Sequence, residues 1–213
     1  MLHTFRHILN NWCRLSLFHE IASFLEQRSR DEKFWLVFRR LVQDDERLCQ
    51  CAGIAFLLAA QLFGARIPPI VRPLSTDALT PAMAFWVERY GVRSAIQNFS
   101  ENKFSLFLHR LFISSRACWT EVRRRRLLLF RSPHVTVNLE GTRGWHRWSA
   151  LCKQAAHSGR RLCFHITAGL RYAMEVPFWS IRIRTLPNKT TLQPPANVGP
   201  WAASAEIAGG VKE

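Results

Sequence analysis

The sequence predicts a mainly α protein, an irregular multi-helix bundle with a poorly defined mixed or disordered C-terminal region. Apolar residues recur at three- and four-residue intervals over most of the first 130 positions, the spacing of one helix face. A central stretch, Leu48–Ala65, carries no charge at all, and a helix apolar nearly all round must be buried on most sides. Beyond Pro133 that periodicity fades, and from Pro187 the chain turns polar and rich in Pro, Gly and Ala, which predicts a disordered tail. The chain divides accordingly into a helical domain at 1–132, a weakly organised strand and helix segment at 133–186, and the tail at 187–213.

Residues 4–28 read as one amphipathic helix, with Phe5, Ile8, Leu9, Trp12, Leu15, Leu17, Phe18, Ile21, Ala22 and Leu25 as its recurring apolar residues. Ser29 or Asp31 fits the cap of a short helix over Glu32–Val42, whose apolar side is Phe34, Trp35, Val37, Phe38 and Leu41. Asp44, Asp45 and Glu46 precede the central helix, where carboxylates complement the positive end of its dipole. Gly64 followed by Pro68 and Pro69 supplies its stop. At 18 residues, with Gln50, Gly53 and Gln61 inside it, this stretch reads as a core helix rather than a membrane span.

Thr80 and Pro81 mark the start of a further helix, which Gly91 interrupts or loosens. Asn102–Phe130 is the longest helical candidate, with Ser100 and Lys103 as a weak capping pair and Pro133 beyond its end. The stretch from His134 to Gly141 alternates like a short strand. Residues 145–159 suit a short helix, and 161–186 show strand-like periodicity broken at Gly169 and Pro177.

The net charge of +15 is uneven. Residues 1–98 hold 12 Lys/Arg against 9 Asp/Glu, whereas residues 99–213 hold 18 against 6. The second half therefore suits a nucleic acid or an acidic partner, or else presents a solvated basic surface. Its densest feature is Arg123, Arg124, Arg125 and Arg126, with Arg116 one heptad before Arg123 and on the same helical face. These five are the candidate phosphate or nucleic-acid contacts, and Trp119 offers stacking beside them. Four consecutive arginines wrap about a full turn, so they cannot all meet one ligand.

No side chain is a candidate for catalysis, cofactor binding or metal ligation. The chain has no Gly-rich phosphate loop, no His-Glu-x-x-His and no nucleophile elbow. Nor does it have carboxylates alternating on a strand after a Gly-Ser turn, which two-metal nucleotidyl transfer uses to hold its ions. Cys49 and Cys51 read as small buried side chains, and six cysteines without a compact framework spacing suit a reduced, cytoplasmic protein. His19 and Glu20, adjacent on the first helix, are candidate polar contacts to a neighbouring domain.

Trp12, Leu15, Ile21, Ala22 and Leu25, then Trp35, then the alanine- and leucine-rich run closing in Leu62-Phe63-Gly64 and Pro68, resemble the helical C-terminal region of an uncharacterised bacterial nucleotidyltransferase-like family. The resemblance spans roughly residues 7–130 and is best over 12–70. It implies the helical, accessory or substrate-positioning portion of such a protein, with Glu20 standing where the family often has aspartate. It also implies a separate or missing catalytic domain before residue 1, which would supply the ligands for Mg²⁺ and a nucleoside triphosphate. The expectation is thus a truncated or split gene product without autonomous transfer, and the alternative is a basic nucleic-acid-binding helical protein using Arg116–Arg131.

Overall fold

The computed structural model describes residues 2–10, 15–97, 102–127 and 144–186, and these form a mainly α, irregular multi-helix protein. In order, the helices are α1 (Leu2–Asn10), α2 (Leu15–Gln27), α3 (Glu32–Gln43) and α4 (Glu46–Phe63). A 3-10 turn at Pro69–Val71 leads into α5 (Arg72–Thr76), followed by α6 (Pro81–Trp86), a π-helical turn at Val87–Gly91 and α7 (Val92–Ile96). The last three are α8 (Ser105–Phe112), α9 (Arg116–Leu127) and α10 (Trp145–Thr185). The helix expected over residues 4–28 is present as α1 and α2, and its Trp12 lies outside the described residues.

α4 is the centre of the bundle and packs against α1, α2, α3, α5 and α7. Its ends are set by local chemistry. The Asp45 carboxylate accepts from the Arg47 and Leu48 amides at 2.8 and 3.1 Å, and Gly64 closes the helix in the left-handed region at φ 70°. Cys49 through Phe56, Leu58 and Ala59 are all buried. The helix is long and apolar enough to cross a membrane by length and composition, yet 56% of it is covered by its neighbours. Gly53 permits the closest of these contacts, because a Cβ there would stand 2.1 Å from the Leu74 carbonyl oxygen of α5.

Two apolar clusters result. On one side Ile21, Ala22 and Leu25 of α2 meet Trp35 of α3, Ala52, Ala55 and Phe56 of α4, and Val71 and Leu74. Trp35 is fully buried and its indole N–H donates to the Arg28 carbonyl at 2.6 Å, which satisfies the one polar group that its burial would otherwise strand. α3 is capped by Asp31, which accepts from the Phe34 amide at 3.0 Å. Only part of the apolar side expected for α3 is inward, since Val37 and Leu41 are 55% and 73% exposed. Trp35, Phe34, Phe38 and Val42 already fill the arc that faces α4.

The other cluster joins Phe5 and Ile8 of α1, Ile54 and Leu58 of α4, and Met83, Trp86 and Tyr90 to Phe104, Leu106, Phe107 and Leu108. Thr80 caps α6 through the Met83 amide, with Pro81 at the first helical position. The Trp86 indole donates to the Phe104 carbonyl at 2.8 Å, tying α6 to the start of α8. Gly91 lies in the π-helical turn, where a Cβ would come within 2.5 Å of Leu58 Cδ2.

Two expectations for the second half are corrected. The single helix expected from Asn102 to Phe130 is divided at Ile113–Ser115 into α8 and α9. Ser115 starts the second helix, its carbonyl accepting from the Trp119 amide and its hydroxyl from the Cys118 amide, a side-chain cap in competition with helix continuation. At the other end the Asn102 side chain accepts from the Phe104 amide at 2.8 Å, and the expected Ser100–Lys103 capping pair falls partly outside the described residues, at Ser100. Residues 128–130 of that expected helix lie outside the described residues, as do the expected strand at 134–141 and the tail from 187.

The second correction is larger. Residues 145–185, expected as a short helix and strand-like segments, form the continuous helix α10. Ala168, Tyr172 and Trp179 are buried, with Val176 and Ile183 packed beside them, a helical spacing of the core-facing residues. Phe107 receives Trp179 at 4.7 Å and Tyr172 at 4.8 Å between ring centroids. These anchors lie on both sides of Pro177, whose missing N–H removes one helical bond without ending the helix. Gly169 faces open space and imposes no turn.

Candidate nucleic-acid interface

α8, α9 and α10 concentrate the basic charge. Residues 102–127 and 144–186 hold 14 Lys/Arg against only two acidic residues, Glu121 and Glu175. Both carboxylates are engaged within the chain. Glu121 accepts from Arg124 at 3.1 Å and from Arg125, and these arginines hold its carboxyl below the usual range. Glu175 of α10 takes the Arg89 guanidinium at 3.2 Å and the Tyr90 hydroxyl at 2.8 Å.

The arginine run does not act as one unit. Arg116 and Arg123 are exposed on α9, Arg124 and Arg125 are exposed but turned toward Glu121, and Arg126 is only half-exposed. Burial pushes the Arg126 guanidinium below its ordinary range. Its charge acts on Lys103 and His109, so it belongs to the inner side of α9. α9 has no fully buried residue, and Trp119 packs partly against the core. The outward cations of the run are therefore Arg116 and Arg123, with Arg124 and Arg125 beside them.

Below this surface lies a buried basic group with no signature in the sequence. Lys103 is 1% exposed, and its Nζ stands 2.9 Å from Nδ1 of His165 on α10. An ammonium has no lone pair, so Lys103 donates and His165 accepts through Nδ1. Burial, reinforced by Arg126, pushes Lys103 down to about 8. Burial and the Lys103 and Arg161 charges hold His165 at about 4. At neutral pH the pair is thus a charged lysine donating to a neutral imidazole. His109 of α8 is likewise held at about 4 by burial, and its Nε2 donates to the Leu9 carbonyl at 2.8 Å.

His19 and Glu20 are both exposed on α2. The His19 ring sits edge-on to Phe63 at 5.4 Å, beside the outer end of α4. They lie on the α2–α4 side of the molecule, apart from the basic helices. Cys49 and Cys51 are buried thiols, and Cys49 Sγ donates to the Val42 carbonyl at 3.0 Å. Burial pushes Cys51 up to about 12, which removes it from thiolate chemistry near neutral pH. Among the described residues, no three His, Cys, Asp or Glu side chains converge as metal ligands.

Lys103 stands directly before the largely apolar sequence Phe104-Ser105-Leu106-Phe107, and His165 lies in the segment that reads as strand. No spacing links them. Only the crossing of α8 and α10 does. No protein-family model matches the chain, and no curated protein or solved structure matches it either.

Proposed function

We propose that the chain is a helical accessory region of the nucleotidyltransferase-like kind, positioning a substrate and not performing transfer by itself. The reading rests on the residues that carry the sequence resemblance. Ile21, Ala22, Leu25 and Trp35 form one contiguous cluster against α4, and Gly64 takes the left-handed turn that ends the Leu62-Phe63-Gly64 motif. His19 and Glu20 are exposed on this same unit, where a neighbouring domain would find polar contacts. Among the described residues no group of three or more His, Cys, Asp or Glu side chains is placed to hold a metal ion such as Mg²⁺. No chemical step is therefore assigned to this chain.

Purified protein incubated with nucleoside triphosphates, Mg²⁺ and an oligonucleotide acceptor is expected to show no transfer. Transfer that disappears when an acidic residue of this chain is replaced by its amide would overturn the reading.

A second reading is favoured by the outward arginines of α9. Arg116 and Arg123 are exposed on one face of α9, Arg124 and Arg125 are exposed beside them while paired to Glu121, and α9 carries no other carboxylate. A phosphate backbone satisfies such a row without base recognition, and Trp119 lies on the same helix. Replacing Arg123, Arg124 and Arg125 with Gln should weaken binding to an oligonucleotide and flatten its salt dependence by roughly one unit of log–log slope per lost phosphate contact. Binding insensitive to both salt and these substitutions would dismiss this reading.

A further inference from the structure

α10 is 41 residues long, a rod of about 60 Å. Its anchoring to the bundle begins at His165 and runs through Ala168, Tyr172, Glu175 and Trp179 to Ile183. Among the described residues, none from Trp145 to Phe164 is buried. About 30 Å of helix therefore carries no core packing of its own.

α10 is nevertheless apolar along an outer side that runs from this stretch into the anchored part. Leu162, Ile166, Leu170 and Met174 follow at steps of four, each exposed by 48% to 70%. Trp148 and Leu151, exposed by 68% and 41%, continue the stripe toward the N-terminal end. At about 100° per residue these side chains share one face, well away from the Tyr172–Trp179 face that meets Phe107. Trp145, the outermost, is 81% exposed. An apolar stripe this continuous on a solvated helix calls for a partner.

Charge selects the partner. From Trp145 to Met174 there are five Lys/Arg, namely Arg147, Lys153, Arg160, Arg161 and Arg171, and no acidic residue. All five are exposed and flank or oppose the stripe. A second copy packed on the stripe would gather ten cations around it from this stretch of the two helices, with no carboxylate there to offset them. A nucleic acid would meet the cations but leave the apolar stripe in water. An anionic lipid surface satisfies both, since the stripe enters the acyl boundary while Lys and Arg extend to the headgroups and Trp rings sit at the interface.

We propose that the outer face of α10 from Trp145 to Met174 is a peripheral membrane-docking surface that lies on an anionic bilayer. This does not rest on the function proposed above, because its residues belong to neither the α2–α4 unit nor the α9 arginine row.

The test is sedimentation of the full-length protein with vesicles of phosphatidylcholine alone or mixed with phosphatidylserine. Binding to the mixed vesicles is expected, with little to phosphatidylcholine alone, and with weakening as salt screens the attraction. The pair Leu162→Glu and Ile166→Glu should reduce it by about tenfold or more. The pair Leu36→Glu and Leu41→Glu, on the exposed apolar side of α3, should leave it unchanged. Both altered pairs are solvent-exposed, and circular dichroism checks that each variant folds as the parent does. Equal sedimentation of the α10 variant, or no binding to the mixed vesicles, overturns the proposal. So does a lipid-free dimer in sedimentation velocity that the α10 substitutions dissolve, which would assign the stripe to a second copy.

Discussion

The Tyr90 hydroxyl donates to the Glu175 carboxylate at 2.8 Å, across 85 positions of sequence. Arg89 completes the contact from the neighbouring position at 3.2 Å and lies over the Phe178 ring at 4.2 Å from its centroid. The π-helical turn that carries Arg89 and Tyr90 thereby grips α10 with a hydrogen bond, an ion pair and a cation–π contact. Burial and the bond to Glu175 hold the phenol up at about 12, so it remains a donor throughout the neutral range.

Glu175→Ala should lower unfolding free energy by about 1–2 kcal/mol, the cost of stranding a half-buried phenol. Arg89→Ala should cost less, because that ion pair is partly exposed. Denaturant titration measures both. Hydrogen exchange should show faster opening of residues 168–183 in Glu175→Ala, and exchange unchanged there would contradict the clamp.

Trp179→Ala removes the ring stacked on Phe107 and packed near Phe85 and Tyr90. A loss of about 3–5 kcal/mol is expected for deleting a buried Trp. Trp145→Ala, at 81% exposure, should fall within about 0.5 kcal/mol. Comparison of the two separates the anchored from the projecting end of one helix.

Gly53→Ala should be among the most damaging single methyl additions in the chain. Its new Cβ would meet the Leu74 carbonyl oxygen at 2.1 Å, and a backbone atom cannot rotate away. A loss of roughly 2–3 kcal/mol follows if α5 shifts outward to make room. Gly64→Ala meets no steric neighbour, yet its φ of 70° penalises any Cβ and should cost about 1 kcal/mol. A thermal denaturation series orders the two substitutions.

Acid should destabilise the fold before its carboxylates titrate. His109 and His165 are each held at about 4 in the folded chain against an ordinary 6.5. Between those values the unfolded chain binds protons that the folded chain refuses, so stability falls as pH drops from 6.5 toward 4. The two sites contribute up to about two protons of uptake on unfolding. His109→Gln, which keeps a donor for the Leu9 carbonyl, should reduce the slope of stability against pH by nearly half across that window. An unchanged slope would show that His109 is protonated without cost.

Local chemistry was legible wherever one side chain and the backbone beside it decide the outcome. The Asp31, Asp45 and Thr80 caps, the Gly64 stop and the burial of Cys49–Phe56 all follow from short-range pattern. The division at Ser115 was less visible, because Ser114 and Ser115 interrupt an apolar rhythm that continues on either side. α10 was the least legible. It is apolar on two faces, one toward Phe107 and one toward solvent, and two stripes on one helix blur the period that either would show alone. Its alternating Ile181-Arg182-Ile183-Arg184 then reads as strand.

The candidate contacts divide in the same way. That Arg116 and Arg123 share a helical face follows from their spacing, whereas the pairing of Arg124 and Arg125 with Glu121 depends on rotamers as well as spacing. The Lys103–His165 bond and the Arg89–Tyr90–Glu175 clamp belong to helices distant in sequence, and no local preference encodes them.

The sequence by itself determined the helical class, the central α4 and the basic character of the second half, because composition, period and capping act over a few residues. Tertiary packing decided which apolar faces became core, and it is why Trp35 is enclosed while Leu41 of the same helix is not. It also decided that one half of α10 is held by Phe107 and Glu175 while the other projects from the bundle. Burial is a property of what stands opposite a side chain, and that is fixed only when the helices meet.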